Sequence, residues 1–152
     1  MASIEKSIDV EVPVRTAYNQ WTQFEDFPRF MEGVTRVQQL SDTRLRWVAD
    51  IAGKEKEWNA RITEQNPDER IAWTSESGAR NAGVVTFHKR EPARTRIMLQ
   101  LEYEPDDLVE SVGDALGFMS RRVSGDLERF KAFIEERGRE TGAWRGQVKQ
   151  EH

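Results

Sequence analysis

The chain has 152 residues, 37% apolar and 33% charged, with five Trp, seven Phe and two Tyr. That size and aromatic content suit a single domain with one core and exclude wholesale disorder. The net charge of −4 comes from 23 basic and 27 acidic residues interleaved along the chain, which argues against nucleic acid as a partner, and the lack of cysteine excludes disulfides and thiolate chemistry.

Residues 1–12 read MASIEKSIDVEV, with charges throughout and no apolar leader. No later stretch approaches the roughly 18 consecutive apolar residues of a membrane span, so the expectation is a cytoplasmic protein without stable membrane insertion. Ile4, Ile8, Val10 and Val12 alternate with Glu5, Ser7, Asp9 and Glu11, the period of a strand with one buried face, and Lys6 breaks the inward register. Pro13 stops that strand. Val14, Ala17, Tyr18, Trp21 and Phe24 then recur at three and four residues and predict a short helix. Phe27, Pro28, Phe30 and Met31 form a second compact helical segment ending at Gly33.

Six strand-like runs follow, at 34–40, 44–52, 55–64, 70–77, 83–90 and 94–104. Turn chemistry separates them: Ser41-Asp42-Thr43, Gly53, Asn66-Pro67-Asp68, Gly78 and Glu91-Pro92-Ala93. One inward face is expected to carry Leu45, Trp47, Ala49 and Ile51, then Trp58, Ala60 and Ile62, Ile71 and Trp73, Val85 and Phe87, and Ile97, Leu99, Leu101 and Tyr103. Pro105, Asp106 and Asp107 start a long helix in which Leu108, Val112, Leu116, Met119, Val123, Leu127, Phe130 and Ile134 keep helical spacing to about Arg137. Gly113, Gly117 and Gly125 weaken it, and a break or bend is expected near Gly113–Gly117. Residues 1–137 therefore form the domain, and 138–152 a polar, frayed tail.

The fold class is α+β: a curved seven-stranded antiparallel sheet wrapped around a long C-terminal helix, with two short helices after the first strand. A twisted sheet of that size offers more concave apolar area than one helix of about 10 Å diameter covers. Either large side chains or a ligand-sized void fills the difference.

In this order of elements, the Val12-Pro13 strand end, the Trp21 to Phe30 segment, Trp58-x-Ala60-x-Ile62, residues 67–73 (PDERIAW), Gly83-x-Val85-x-Phe87, Tyr103-x-Pro105 and Leu127-x-x-Phe130-Lys131 together form a pattern. Over residues 4–137 it resembles the START-like, birch-pollen-allergen-like superfamily, within it the polyketide cyclase/dehydrase branch. The resemblance implies a helix-grip fold and a cavity between sheet and C-terminal helix for lipids, sterols, quinone-like molecules or polyketide intermediates. Substrate and chemistry do not transfer with the fold.

The histidines, His88 and His152, make no metal constellation, and no nucleophile elbow, phosphate loop or dinucleotide fingerprint is present; no metal or cofactor is expected. Glu55 and Glu57 are a same-face carboxylate pair whose register places them in water. Arg46 and Arg61, the type of group the family's aromatase/cyclases are thought to use, also fall in the outward register. Tyr103 is the best inward hydroxyl and Ser75 a smaller one. Phe27, Phe30, Met31, Phe118 and Met119 could form an adaptable mouth or simply close the sheet end. The expected ligand-binding set is Phe27, Phe30, Trp47, Ile51, Trp58, Trp73, Ser75, Phe87, Leu99, Tyr103, Leu116, Met119 and Val123. The leading reading is binding of a small hydrophobic molecule. The alternatives are a cyclase or dehydrase acting on such a molecule, with catalytic residues left open, and a protein-interaction module docking through an aromatic patch near 27–31.

Overall fold

The structure is a computed structural model that describes residues 2–51, 53–104 and 112–149, with the side chains of 112–116 excepted. Strand β1 (Ala2–Val10) leads into helix α1 (Val14–Trp21) and a 3₁₀ helix (Phe24–Arg29). Six strands follow: β2 (Val34–Gln39), β3 (Arg44–Ile51), β4 (Lys54–Asn66), β5 (Arg70–Gly78), β6 (Asn81–Glu91) and β7 (Arg94–Tyr103). Helix α2 (Val112–Arg137) closes the order. All strands lie in one antiparallel sheet ordered β1-β7-β6-β5-β4-β3-β2, so the first strand pairs with the last and every other neighbour is a hairpin. This is the expected α+β helix-grip architecture.

Alternation fixes which residues point inward. Ile62, Trp73, Gly83, Leu101 and Ile4 fall in one row across five strands, and Ile71, Val85, Leu99 and Lys6 in the next. Helix α2 presents Val123, Leu127, Phe130 and Ile134 to the core, each at most 6% exposed, while Arg121, Glu128 and Glu136 face water. One end of the bowl is tightly filled. There Tyr18 and Trp21 of α1 meet Phe87 edge-on at centroid distances of 5.4 and 6.2 Å, and Trp21 meets Phe130 at 5.0 Å.

Two expectations are corrected. Helix α2 runs without a break through Gly113, Gly117 and Gly125, because packing of its apolar stripe outweighs the roughly 1 kcal/mol that each glycine costs. The tail is not frayed as far as residue 149. Thr141 N donates to Gln20 Oε1 at 2.9 Å, Arg145 donates to Asn19 Oδ1 at 2.6 Å and Asp68 Oδ2 at 2.9 Å, and Val148 forms a two-bond bridge with Gln65. The buried amides Asn19 and Gln20 explain why a polar tail docks: helix α1 hides polar groups that need partners. The expected helix start at Pro105-Asp106-Asp107 and the positions of Leu108, Ala52 and His152 lie outside the described residues.

Phe130 is fully buried where α1, the 3₁₀ segment and α2 converge. Phe130→Ala is expected to lower the unfolding free energy by about 3–5 kcal/mol, read as a fall in the urea midpoint at unchanged m-value.

Candidate functional site

Away from α1 the filling changes. Trp47, Trp73, Leu99, Leu101, Tyr103 and Met119 pack against the core but are only partly buried, whereas Ile97, Phe130 and Ile134 at the other end are 0% exposed. The half-buried set gathers at the end of the sheet formed by the β5–β6 turn, the start of β4 and the end of β7. Trp47 and Trp58 are cross-strand partners whose rings stack at 5.6 Å with planes 10° apart. Trp73 lies over Gly83, where a Cβ would come within 2.5 Å of the indole ring; only glycine lets this ring lie flat on β6.

Three donors in this region have no partner among the described residues: Trp47 Nε1, Trp58 Nε1 and the Tyr103 hydroxyl, all buried as atoms. Unpartnered polar atoms at the filled end, on Tyr18, Gln65 and Asp68, mix donors with acceptors beside Arg145. Those on the Trp47–Trp58–Tyr103 side are two indole N–H donors and one hydroxyl, which can donate as well as accept. Burial also raises the Tyr103 pKa above the usual phenol value.

The expected site residues therefore divide. Trp47, Trp58, Trp73, Leu99, Tyr103 and Met119 share the half-buried end, with Ile51 at the end of β3. Phe27 and Phe30, each 2% exposed, do not form a mouth: they belong to a chain of edge-to-face contacts from Trp21 through Phe27 and Phe30 to Phe130, with Phe27 also 5.5 Å from Trp47. Phe87 and Val123 are likewise core. Ser75 Oγ accepts a 3.0 Å bond from Asn81 N and so ties the β5–β6 hairpin. The side chain of Leu116 lies outside the described residues. With Phe27 and Phe30 buried, the aromatic docking patch of the interaction-module reading is absent from the described surface, where Leu40 is the exposed large hydrophobic residue.

The outward assignments hold. Arg46 binds Glu57 Oε2 at 2.7 Å and Asn59 Oδ1 at 3.1 Å, Arg61 and Glu55 are exposed, and exposed His88 contacts Thr86 Oγ1 at 2.9 Å. Within the inward rows from the Trp47–Trp58 pair to Lys6, the polar side chains are Lys6, Gln65, Ser75, Asn81 and Tyr103, with no carboxylate. Among the described residues, no three His, Asp or Glu gather as metal ligands, and no helix is long and apolar enough to cross a membrane.

A clasp that sequence reasoning missed joins α2 to the loop before β2. Asp126 Oδ1 accepts from Glu32 N at 3.1 Å and Arg129 Nη2 at 2.6 Å, Arg129 Nε donates to Phe30 O at 3.0 Å, and Arg122 Nη1 donates to Glu32 O at 2.8 Å and Asp50 O at 3.2 Å. Gly33, with φ of +89°, passes beneath Arg122, whose guanidinium any Cβ there would strike. Beside the clasp lies a surface depression of about 240 Å³ lined by Glu32, Phe118, Arg121, Arg122 and Arg129. A second, of about 140 Å³, lies at Thr22 to Asp26 and Gln39. Neither is lined by a residue of the expected ligand set.

The sequence profile of the family described as polyketide cyclase/dehydrase and lipid transport matches residues 10–132. The chain belongs to this family. Family membership accounts for the sheet-and-helix bowl just described, and one relative by sequence and two solved structures resemble the chain. An uncharacterised 17.2 kDa protein of Streptomyces lincolnensis is 59% identical over 149 residues, covering 97% of this chain and 99% of that protein. The Zhui aromatase/cyclase from Streptomyces sp. R1128 superposes with TM-score 0.76 at 16% identity over 94% of this chain and 99% of its own. A START superfamily protein from Mycobacterium smegmatis does so with TM-score 0.70 at 15% identity, over 89% and 95%. At those identities the two structures show a shared fold.

Burial pushes the Asp126 carboxyl up to about 6, against the opposing pull of Arg129, the Glu32 amide and Arg122. The folded protein thus favours the protonated form more than the unfolded chain does. The resulting contribution to stability is complete below about pH 4 and is lost as pH rises through about 6. In Asp126→Asn, the thermal midpoint is expected to fall less between pH 4.5 and 7 than in the wild type, as measured by circular dichroism melts.

Proposed function

We propose that this family member binds one small apolar molecule carrying hydrogen-bond acceptors, such as carbonyl oxygens, in the half-buried end of the bowl between β3–β7 and α2. The observation that carries this reading is the trio of buried donors, Trp47 Nε1, Trp58 Nε1 and Tyr103 OH, without a partner among the described residues and beside the apolar Trp73, Leu99 and Leu101. Buried N–H and O–H groups are nearly always paired, and leaving one unpaired costs about 1–3 kcal/mol. A guest with acceptor oxygens would satisfy them while its body covers the indole faces and Leu99, Leu101 and Met119. The family description, with its lipid-transport and polyketide members, supports the same ligand class.

One observation favours a second reading, a cyclase or dehydrase. The Tyr103 hydroxyl stands on the concave face, where it could polarise a ligand carbonyl through a hydrogen bond. Against it, the inward rows carry no carboxylate to act as base, and Arg46 and Arg61 point outward. The Zhui protein, which shares this fold at 16% identity, is an aromatase/cyclase.

Titration with the neutral dye N-phenyl-1-naphthylamine is expected to give saturable 1:1 binding with quenching of tryptophan emission. Displacement by 2-methyl-1,4-naphthoquinone is expected to weaken by about 3- to 10-fold in Tyr103→Phe, the effect of one lost hydrogen bond, with dye affinity unchanged. No saturable binding of dye or quinone would overturn the proposal. Conversion of a supplied poly-ketone substrate into a cyclised product, abolished in Tyr103→Phe, would favour the enzyme.

A further inference from the structure

The depression beside the clasp is electrostatically lopsided. Three guanidinium groups line it, from Arg121, Arg122 and Arg129, against two carboxylates, Glu32 on the lining and Asp126 paired with Arg129. Arg122 is pre-positioned: its guanidinium lies 4.9 Å over the Phe118 ring, and its Nη1 is spent on the carbonyls of Glu32 and Asp50, which fix geometry without cancelling charge. Arg129 is fixed by the Phe30 carbonyl, Asp126 and Glu32. Exposed Arg121 makes no hydrogen bond or ion pair with a described residue. The chain thus holds two guanidinium groups in place beside a third that has no counter-charge among the described residues.

The depression also lies at the edge of the bowl. Phe118 lines it, and the next residue on α2, Met119, packs on the core; Asp50 anchors Arg122, and the next residue on β3, Ile51, falls in the inward register. We infer that Arg121, Arg122 and Arg129 form an oxyanion subsite at this rim, which takes the carboxylate or phosphate group of the guest whose apolar body lies within. The inference rests on the binding reading above and deepens it, since it selects acid-headed amphiphiles over neutral ones. Guanidinium groups suit this task because their forked donors match the paired oxygens of carboxylate and phosphate.

The test compares dodecanoate with dodecan-1-ol in displacement of N-phenyl-1-naphthylamine, and follows the arginine Nε–Hε NMR signals during titration with inorganic phosphate. Wild-type protein is expected to bind the acid about tenfold more tightly than the alcohol. Arg121→Gln, at an exposed position, is expected to abolish most of that preference while leaving alcohol affinity and thermal midpoint unchanged; Arg122→Gln serves as a second variant. Equal binding of acid and alcohol with no phosphate-induced shift would overturn the subsite and leave the bowl reading intact. Phosphate-induced shifts with neither chain bound would keep the anion site and sink the bowl reading. Shifts without preference for the acid would overturn the link between this subsite and the guest.

Discussion

Seven antiparallel strands about 4.8 Å apart make a surface nearly 30 Å wide, and a single helix of about 10 Å diameter cannot cover it. Every functional feature of this protein follows from how the remaining concave area is treated. At one end, helix α1 and the 3₁₀ segment contribute Tyr18, Trp21, Phe27 and Phe30, which interlock with Phe87 and Phe130 until nothing is exposed. At the other end tryptophans, leucines and Tyr103 are left partly covered, and three buried polar groups find no partner among the described residues.

Much of this was legible in the sequence because periodicity is a direct consequence of burial. The strands and both helices appear at their expected places, and the outward placement of Arg46, Arg61, Glu57 and His88 follows from alternation alone. The candidate site was legible in part. Trp47, Trp58, Trp73 and Tyr103 share a face because parity puts them there, but parity says nothing about position along the bowl, so Phe27, Phe30 and Phe87 were grouped with them although α1 seals that end. Ser75 was misread because its role is set by a β5–β6 turn that brings Asn81 N to its hydroxyl, a contact across six residues that depends on turn geometry.

The tail and the clasp were hidden for a different reason. Both depend on side-chain bonds between residues 70 to 130 positions apart, such as Arg122 to Asp50 and Arg145 to Asn19. Composition reads such segments as solvated, since arginine and threonine suit water equally well. Gly33 was the available signal: a glycine closing an aromatic segment marks a place where backbone must turn at positive φ, and here it also admits a guanidinium. These long-range bonds fasten the loop before β2 to α2 beside the half-buried end, so the region that would admit a guest is bounded by polar ties, not by interlocked aromatic rings.

Whether the half-buried end holds a guest is settled most directly by non-denaturing mass spectrometry of the intact protein purified from its own host, followed by organic extraction of whatever it retains. The account predicts a near-stoichiometric mass adduct released as a single apolar species bearing acceptor oxygens. A bare polypeptide mass in repeated preparations, still bare after incubation with excess quinone or fatty acid, would contradict it.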